Sequence, residues 1–383
     1  MNCTTPVYLD YNATSPVHPD VLEAMLPYLT DRFGNPSSIH WAGRQVKGAV
    51  EEARERVAQL VNCRPVEVVF TSCGTEADNM ALRGTVSASR GRGNHIITTV
   101  VEHPAVAETC RMLEREGCEV TRLAVGRDGL PDLAELEAAI CDRTILISAM
   151  FANNETGTVL PAAEIGAIAV RRRVPFHCDA VQALGKIPVD CQTLQAGMVA
   201  LSGHKIGAPK GIGALVVRTG TRLHPLILGG SQERNRRAGT ENVAGIVAFG
   251  AACERAAATL AEGAARMAAL RDRLEEGLLR TVPDVTLNGH RERRLPNTSN
   301  IAFHGAKADS LLASLDLEGI AASSGSACSS GSLKASPVLA AMGIAPEAAA
   351  GSLRFSLGPE TTVAEIDRVL ALLPGIVARL RSS

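Results

Sequence analysis

The sequence predicts an α/β protein: a mainly parallel sheet with helices on both faces, completed by a smaller α+β domain. Three observations predict it. From about residue 20 to 220, apolar β-type runs alternate with helical patterns, the order of a parallel sheet crossed over by helices. After Thr240 the alternation stops, and a long Ala-rich helical region leads into short strands and helices. A chain of 383 residues also exceeds what one compact core holds, so two domains are expected.

The strands read in order are Val66–Thr71, His95–Val101, Thr144–Met150, Val174–Cys178, Met198–Leu201 and Ala214–Val217. Helical periodicity falls between them at Gln45–Val61, Thr75–Ser87, Ala105–Glu116 and Ala162–Val170. Ala244–Leu279 reads as a long helix broken at Gly263 and ended near Pro283. Strands at Val285–Leu287, Thr298–Phe303, Ile320–Ser323 and Ser352–Leu357 follow, with helices at Ala308–Leu315, Pro337–Met342 and Val363–Leu380. The division expected is a large domain over 16–255 and a small one from 1–15 and 256–383.

Composition excludes several classes. Lys plus Arg (39) and Asp plus Glu (40) nearly cancel and aromatics are 3%, so neither a basic face nor a base-stacking platform for nucleic acid is expected. No uninterrupted apolar run spans a bilayer and residues 1–10 lack a signal-peptide pattern, so no membrane partner and a cytoplasmic location are expected. The ten cysteines, with no C-x-x-C pair, read as scattered reduced thiols, and the spacing gives no metal site. Cys328 stands apart, because Ser323–Ser332 is nearly all small polar residues, the setting of an accessible, reactive thiol.

In open α/β sheets ligands sit beyond the carboxyl ends of the strands. Five such ends carry Gly74-Thr75-Glu76, Glu102-His103-Pro104, Asn153-Asn154-Glu155, Asp179-Ala180-Val181-Gln182 and Ser202-Gly203-His204-Lys205. Each alone reads as a turn or cap; together they suggest one site. Gly74-Thr75 opens a helix whose free N–H groups suit a phosphate, with Ser202 and His204 adding hydrogen bonds. Asp179 offers a fixed negative charge and Lys205 an amine. Phosphate, aldehyde and basic ring nitrogen on one small molecule describe pyridoxal 5'-phosphate. Lys205 would form its Schiff base, Asp179 would keep the ring nitrogen protonated, and His103 would stack on the ring or move protons. Asn154 and Gln182 would bond the phenolic oxygen. Arg354, in an otherwise apolar strand, would hold a substrate carboxylate or form an internal salt bridge.

These residues resemble a family. Tyr8-Leu9-Asp10, Asn12-Ala13-Thr14, Phe33 to His40, Phe70 to Glu76, Asn153 to Gly157, Ser202 to Gly211, Arg236 to Asn242 and the loop around Cys328 are similar to cysteine desulfurases of class I, the NifS/IscS-like group of the class-V aminotransferases. The resemblance implies the fold type I of pyridoxal-phosphate transferases, with a seven-stranded-type sheet. It implies conversion of L-cysteine to L-alanine, with Lys205 moving the α-proton and Cys328 taking the sulfur as a persulfide. Arg354, Asn154 and Asn35 would bind the substrate. Thr240 would reach the cofactor phosphate of a neighbouring subunit, making a homodimer. The persulfide would serve an iron–sulfur scaffold or another acceptor, in nitrogen fixation or general cluster assembly, with Cys328 open to a transient iron–sulfur contact. A related aminotransferase, a selenocysteine lyase and a purely regulatory binder stay as alternatives.

Overall fold

The computed structural model describes residues 6–324 and 336–382; Cys328 lies outside them. The first half of the chain runs β1 (Val7–Tyr8), α1 (Pro19–Met25), α2 (Trp41–Leu60), β2 (Val68–Thr71), α3 (Gly74–Ala88), β3 (His95–Thr99), α4 (Pro104–Arg115), β4 (Glu119–Leu123), α5 (Leu133–Ala139) and β5 (Thr144–Met150). It continues with α6 (Ala162–Arg172), β6 (Phe176–Asp179), α7 (Cys191–Leu194), β7 (Met198–Ser202), β8 (Gly213–Val217) and a tight turn, α8 (Gln232–Asn235). Then come α9 (Val243–Thr281), β9 (Val285–Leu287), β10 (Thr298–Phe303), α10 (Ala308–Leu317), β11 (Ile320–Ala321), α11 (Pro337–Ala341), α12 (Pro346–Ala350), β12 (Ser352–Ser356) and α13 (Val363–Arg381).

Seven strands form one sheet in the order β2-β8-β7-β6-β5-β3-β4. Every pairing is parallel except those of β8, which is antiparallel to both β2 and β7. The central strands β5, β6 and β7 are buried along their whole length, which matches the mainly apolar β5 and β7, while β6 buries His177 and Asp179 as well. The expected α/β architecture is present. The sequence reading passed over β4, whose residues Glu119–Leu123 lie at the sheet edge and are buried only at Leu123. A strand with one face in solvent and charged residues at 119 and 122 carries little apolar signal.

The rest of the chain builds an antiparallel sheet β12-β10-β9 and a parallel pair β1-β11. The N-terminal strand therefore packs beside elements from the far end of the chain, with Val7 and Leu9 in one core cluster with Phe303, Phe355 and Val369.

The break expected at Gly263 does not occur: α9 is one helix of 39 residues. Its first half, through Ile246, Phe249, Ala252 and Cys253, packs with α2 in the main core; its second half, through Leu270, Leu274 and Leu278, packs in the other cluster. With both halves held, one glycine costing about 1 kcal/mol does not interrupt the hydrogen-bond ladder. At Gly250 a Cβ would stand 2.7 Å from Ala53, so α9 and α2 touch where only glycine fits. The most apolar 18 residues of α9 have a mean hydropathy of 1.4, half of that window being buried, as in a core helix.

Candidate functional site

The topology brings the five sequence-singled segments together. β2, β7, β6, β5 and β3 run parallel, so the residues after their carboxyl ends share one edge of the sheet. At that edge Gly213 of β8 pairs with both Thr71 and Ser202, placing the start of α3 beside the end of β7. A Cβ on Gly74 would stand 2.7 Å from Val181 and 3.5 Å from Ser202, so α3 begins hard against the loop after β6. A side chain here would push the helix off that loop.

Lys205 ends a single 3-10 turn, Gly203–Lys205, that follows β7. Its Nζ donates to the carbonyls of Asn12 (2.5 Å) and Ala13 (2.8 Å). The N-terminal segment clamps this turn further: Ser15 bonds the His204 carbonyl and receives the Gly207 N–H, and Thr14 bonds His204 Nδ1 at 3.1 Å. Burial and the nearby lysines push the His204 pKa down to about 4, so its ring is neutral.

Asp179, at the end of β6, is buried and takes the Val181 N–H at 3.0 Å. Burial raises its pKa, while the charges of His103 and Lys205 pull it back down. The charges of His103 and Lys205 thus both act on Asp179, as in a shared site. His103 caps α4, its Nδ1 accepting the Ala105 N–H at 3.1 Å. Burial lowers its pKa, which leaves a neutral imidazole whose Nε2 carries the proton. Beneath them Asp78, Glu102 and His177 are buried, and burial lifts Glu102 to about 8.

Arg354 of β12 is 1% exposed. It ion-pairs with Asp10 (2.6 Å) and donates to the Asn154 carbonyl (2.9 Å). Of the two readings open for Arg354, the internal salt bridge is thus present. Asn154 meets its neighbours through its backbone carbonyl, which also accepts from Asn12 Nδ2. Ser323 pairs with Arg354 through two backbone hydrogen bonds, and Ser336 donates to Glu155 at 2.5 Å. The residues on either side of 325–335 are therefore tied to the Arg354 and Asn154–Glu155 corner.

Two expected residues stand apart. Asn35 is exposed and caps its own turn by accepting the Ser37 N–H. Thr240 is exposed and lines a cleft with Ser72, Gly211 and Arg237 rather than with Lys205. Sequence reasoning also missed Asn12. Its carbonyl holds Lys205 and Gln182, its Oδ1 holds Lys186 and Asn297, and its Nδ2 reaches Asn154 and Thr298. The signal available was its place in a family motif, because nothing in a lone asparagine near a terminus foretells a hub. A separate cavity of about 340 Å³ lies against Lys205 and Lys186, walled by Tyr11, His18, Arg255 and Glu360. Among the described residues no three His, Cys, Asp or Glu side chains gather as a metal site.

The residues fit pyridoxal phosphate. Ser202 Oγ is buried with no hydrogen-bond partner among the described residues, at the head of a helix that has no side-chain N-cap. That pairing leaves a donor and free helix amides for a phosphate. The buried Asp179 carboxylate feels the charge of the Lys205 amine.

The class-V aminotransferase family matches residues 7–369. The chain belongs to that family. A cysteine desulfurase of Nostoc sp. is 54% identical, the alignment covering 98% of this chain and 94% of that protein. The cysteine desulfurase IscS of Methanosarcina thermophila is 50% identical, over 98% and 93%. Among solved structures, a NifS-like protein superposes with a TM-score of 0.93 at 37% identity, covering 98% of this chain and 100% of that one. The structure described as SspA in complex with cysteine gives a TM-score of 0.83 at 35% identity, over 93% and 100%. The chain is thus a fold type I enzyme of the cysteine desulfurase group.

Proposed function

We propose that this chain converts L-cysteine to L-alanine on pyridoxal phosphate, leaving the sulfur as a persulfide on Cys328. The observation that carries the reading is the convergence of Lys205, Asp179, His103 and the Ser202–α3 phosphate cradle at one sheet edge. Lys205 would bind the aldehyde, Asp179 the ring nitrogen, Gly74, Thr75, Ser202 and His204 the phosphate, and Gln182 and Asn154 the phenolic oxygen. The cofactor supplies an electron-withdrawing ring that accepts the electron pair left when the α-proton departs.

The chain's own groups do the rest. Arg354, beside Asn154, would orient the substrate carboxylate. Lys205, held over the Asn12 and Ala13 carbonyls, takes and returns the α-proton. The His103 ring, its Nδ1 taken by the Ala105 N–H, would lie on the cofactor ring or move a proton. Cys328 as thiolate attacks the substrate sulfur; the carbon–sulfur bond breaks, its electron pair stays with carbon, and a proton completes alanine. Ser324 is the last described residue before it, and four residues reach at most about 14 Å. Anchoring of Ser323 on Arg354 therefore supports delivery of the thiol to the substrate.

A homodimer completes the site. Leu22, Leu26, Leu29, Phe33, Ile39 and Trp41 are 50–90% exposed along one stretch of chain, more apolar surface than a monomer keeps. Thr240, exposed in a cleft that its own Lys205 does not line, would serve the neighbouring subunit. The persulfide sulfur would pass to an iron–sulfur scaffold or another acceptor in the cytoplasm. The test is release of sulfide and alanine from L-cysteine with a reductant. Wild type should yield them in equal amounts, and Cys328→Ala should stay yellow but inactive. Full turnover by Cys328→Ala would sink the desulfurase reading.

A further inference from the structure

Lys186 lies four residues after Gln182 and is 5% exposed. Its Nζ donates to Gln182 Oε1 at 2.7 Å and to Asn12 Oδ1 at 2.9 Å. Both acceptors are neutral amide oxygens, and no carboxylate is within ion-pair distance of it among the described residues. Burial, with the charges of Lys205 and Arg354, pushes its pKa well below the ordinary lysine value. Two acceptors face the amine, and each takes one of its N–H bonds. That match explains how a buried lysine is tolerated here without a counter-ion.

The consequence falls on Gln182. The Gln182 amide is held one way round from both ends, because reversal would set Oε1 against the Asn12 carbonyl and an NH2 group against the lysine N–H bond. In the orientation kept, Nε2 donates one N–H to the Asn12 carbonyl at 3.0 Å and has a second N–H left. The same Asn12 carbonyl takes the Lys205 Nζ, so Lys186 braces one residue that touches both groups. An N–H complements the ionised ring oxygen of pyridoxal phosphate, whereas an exposed amide oxygen would repel it.

We propose that Lys186 is a positioning residue: by occupying Gln182 Oε1 and Asn12 Oδ1, it fixes the Gln182 amide so that a donor faces the cofactor's ring oxygen. This rests on the pyridoxal-phosphate reading above. The experiment compares wild type, Lys186→Met, Gln182→Leu and the double variant, each stripped of cofactor and titrated with pyridoxal phosphate. It reads the dissociation constant and the pH at which the bound chromophore changes colour. Lys186→Met should bind about tenfold more weakly, and its colour change should move up by about one pH unit, because a ring oxygen without its donor is more basic. In the Gln182→Leu background, Lys186→Met should change either quantity less than about twofold, since its partner is already gone.

A Lys186→Met effect of equal size in both backgrounds would make the lysine structural and overturn the proposal, as would unchanged affinity and colour-change pH. If wild type itself fails to bind pyridoxal phosphate, the cofactor reading falls and this inference with it. Should Lys186→Met not fold, Lys186→Gln, which keeps a neutral donor, takes its place: colour-change pH and affinity near wild type support the proposal. A tenfold loss in Lys186→Gln that persists in the Gln182→Leu background overturns it.

Discussion

Glu102 shows how much chemistry one residue hides beneath a site. Its Oε1 accepts from Thr99 Oγ1 (2.6 Å) and the Met150 N–H (3.1 Å), while Oε2 is buried without a hydrogen-bond partner among the described residues. Burial lifts its pKa to about 8, against the Thr99 and Met150 hydrogen bonds, with the Asp179 charge adding to the rise. In the unfolded chain the same carboxyl titrates near 4.3. Between those two values the native state holds a proton the unfolded state has lost, so this group's contribution to stability falls as pH rises from about 4.3 to 8. Glu102→Gln reproduces the protonated form, with the amide NH2 where Oε2 stands. Urea unfolding should find the variant close to wild type at pH 5 and more stable at pH 9, by roughly 3–5 kcal/mol for a shift of this size. Parallel curves at the two pH values would show that Glu102 does not titrate in this range. At this scale the sequence revealed Lys205, Asp179 and His103 because each lies at or just beyond the carboxyl end of a strand. It assigned no role to Asn12, Lys186 or Glu102, whose importance lies in contacts with residues up to 344 positions away, as for Asn12 and Ser356.

Elements were legible where one face repeats. α2 and α13 carry an apolar stripe, and the central strands are unbroken β-type runs. β4 and the short α12 were missed because an exposed edge and five residues leave no period to read. Gly263 misled for the opposite reason, since a local breaker was overruled by packing of α9 at both ends. That account has a measurable consequence. A Cβ at Gly263 meets no atom within 4 Å, and its backbone is helical. Gly263→Ala should therefore raise the unfolding free energy by about 0.5–1 kcal/mol, the helix-interior difference between the two residues. The denaturation midpoint should rise with the slope unchanged; a fall would mean that α9 needs the glycine to bend. A different restraint acts on the turn α8, where Glu233, Arg234 and Asn235 all have positive φ. Buried Glu233 is pinned by two 2.7 Å bonds from Arg54 and one from the Phe70 N–H, which fixes the start of the segment leading to Thr240.

For the whole molecule, the exposed residues of 22–41 and the position of Thr240 belong to one argument. A specific interface covers about 800 Å² per partner, and a run of six large apolar side chains standing 50–90% exposed supplies the centre of such a patch. If that patch pairs two copies, Thr240 of each chain is free to serve its neighbour, and cofactor affinity depends on association. Light scattering should then give twice the chain mass for wild type. Leu29→Asp combined with Trp41→Asp puts two charges into the patch and should yield monomers. Those monomers should keep the far-UV circular dichroism of the wild type, since neither side chain belongs to a core cluster. They should also bind pyridoxal phosphate more weakly, and Thr240→Ala in the intact dimer should weaken it in the same direction by removing one donor, about 1 kcal/mol or fivefold. A variant that stays dimeric would place the interface elsewhere. A monomer with undiminished cofactor affinity would show that each chain holds its cofactor alone, and Thr240 would then have no part in the site.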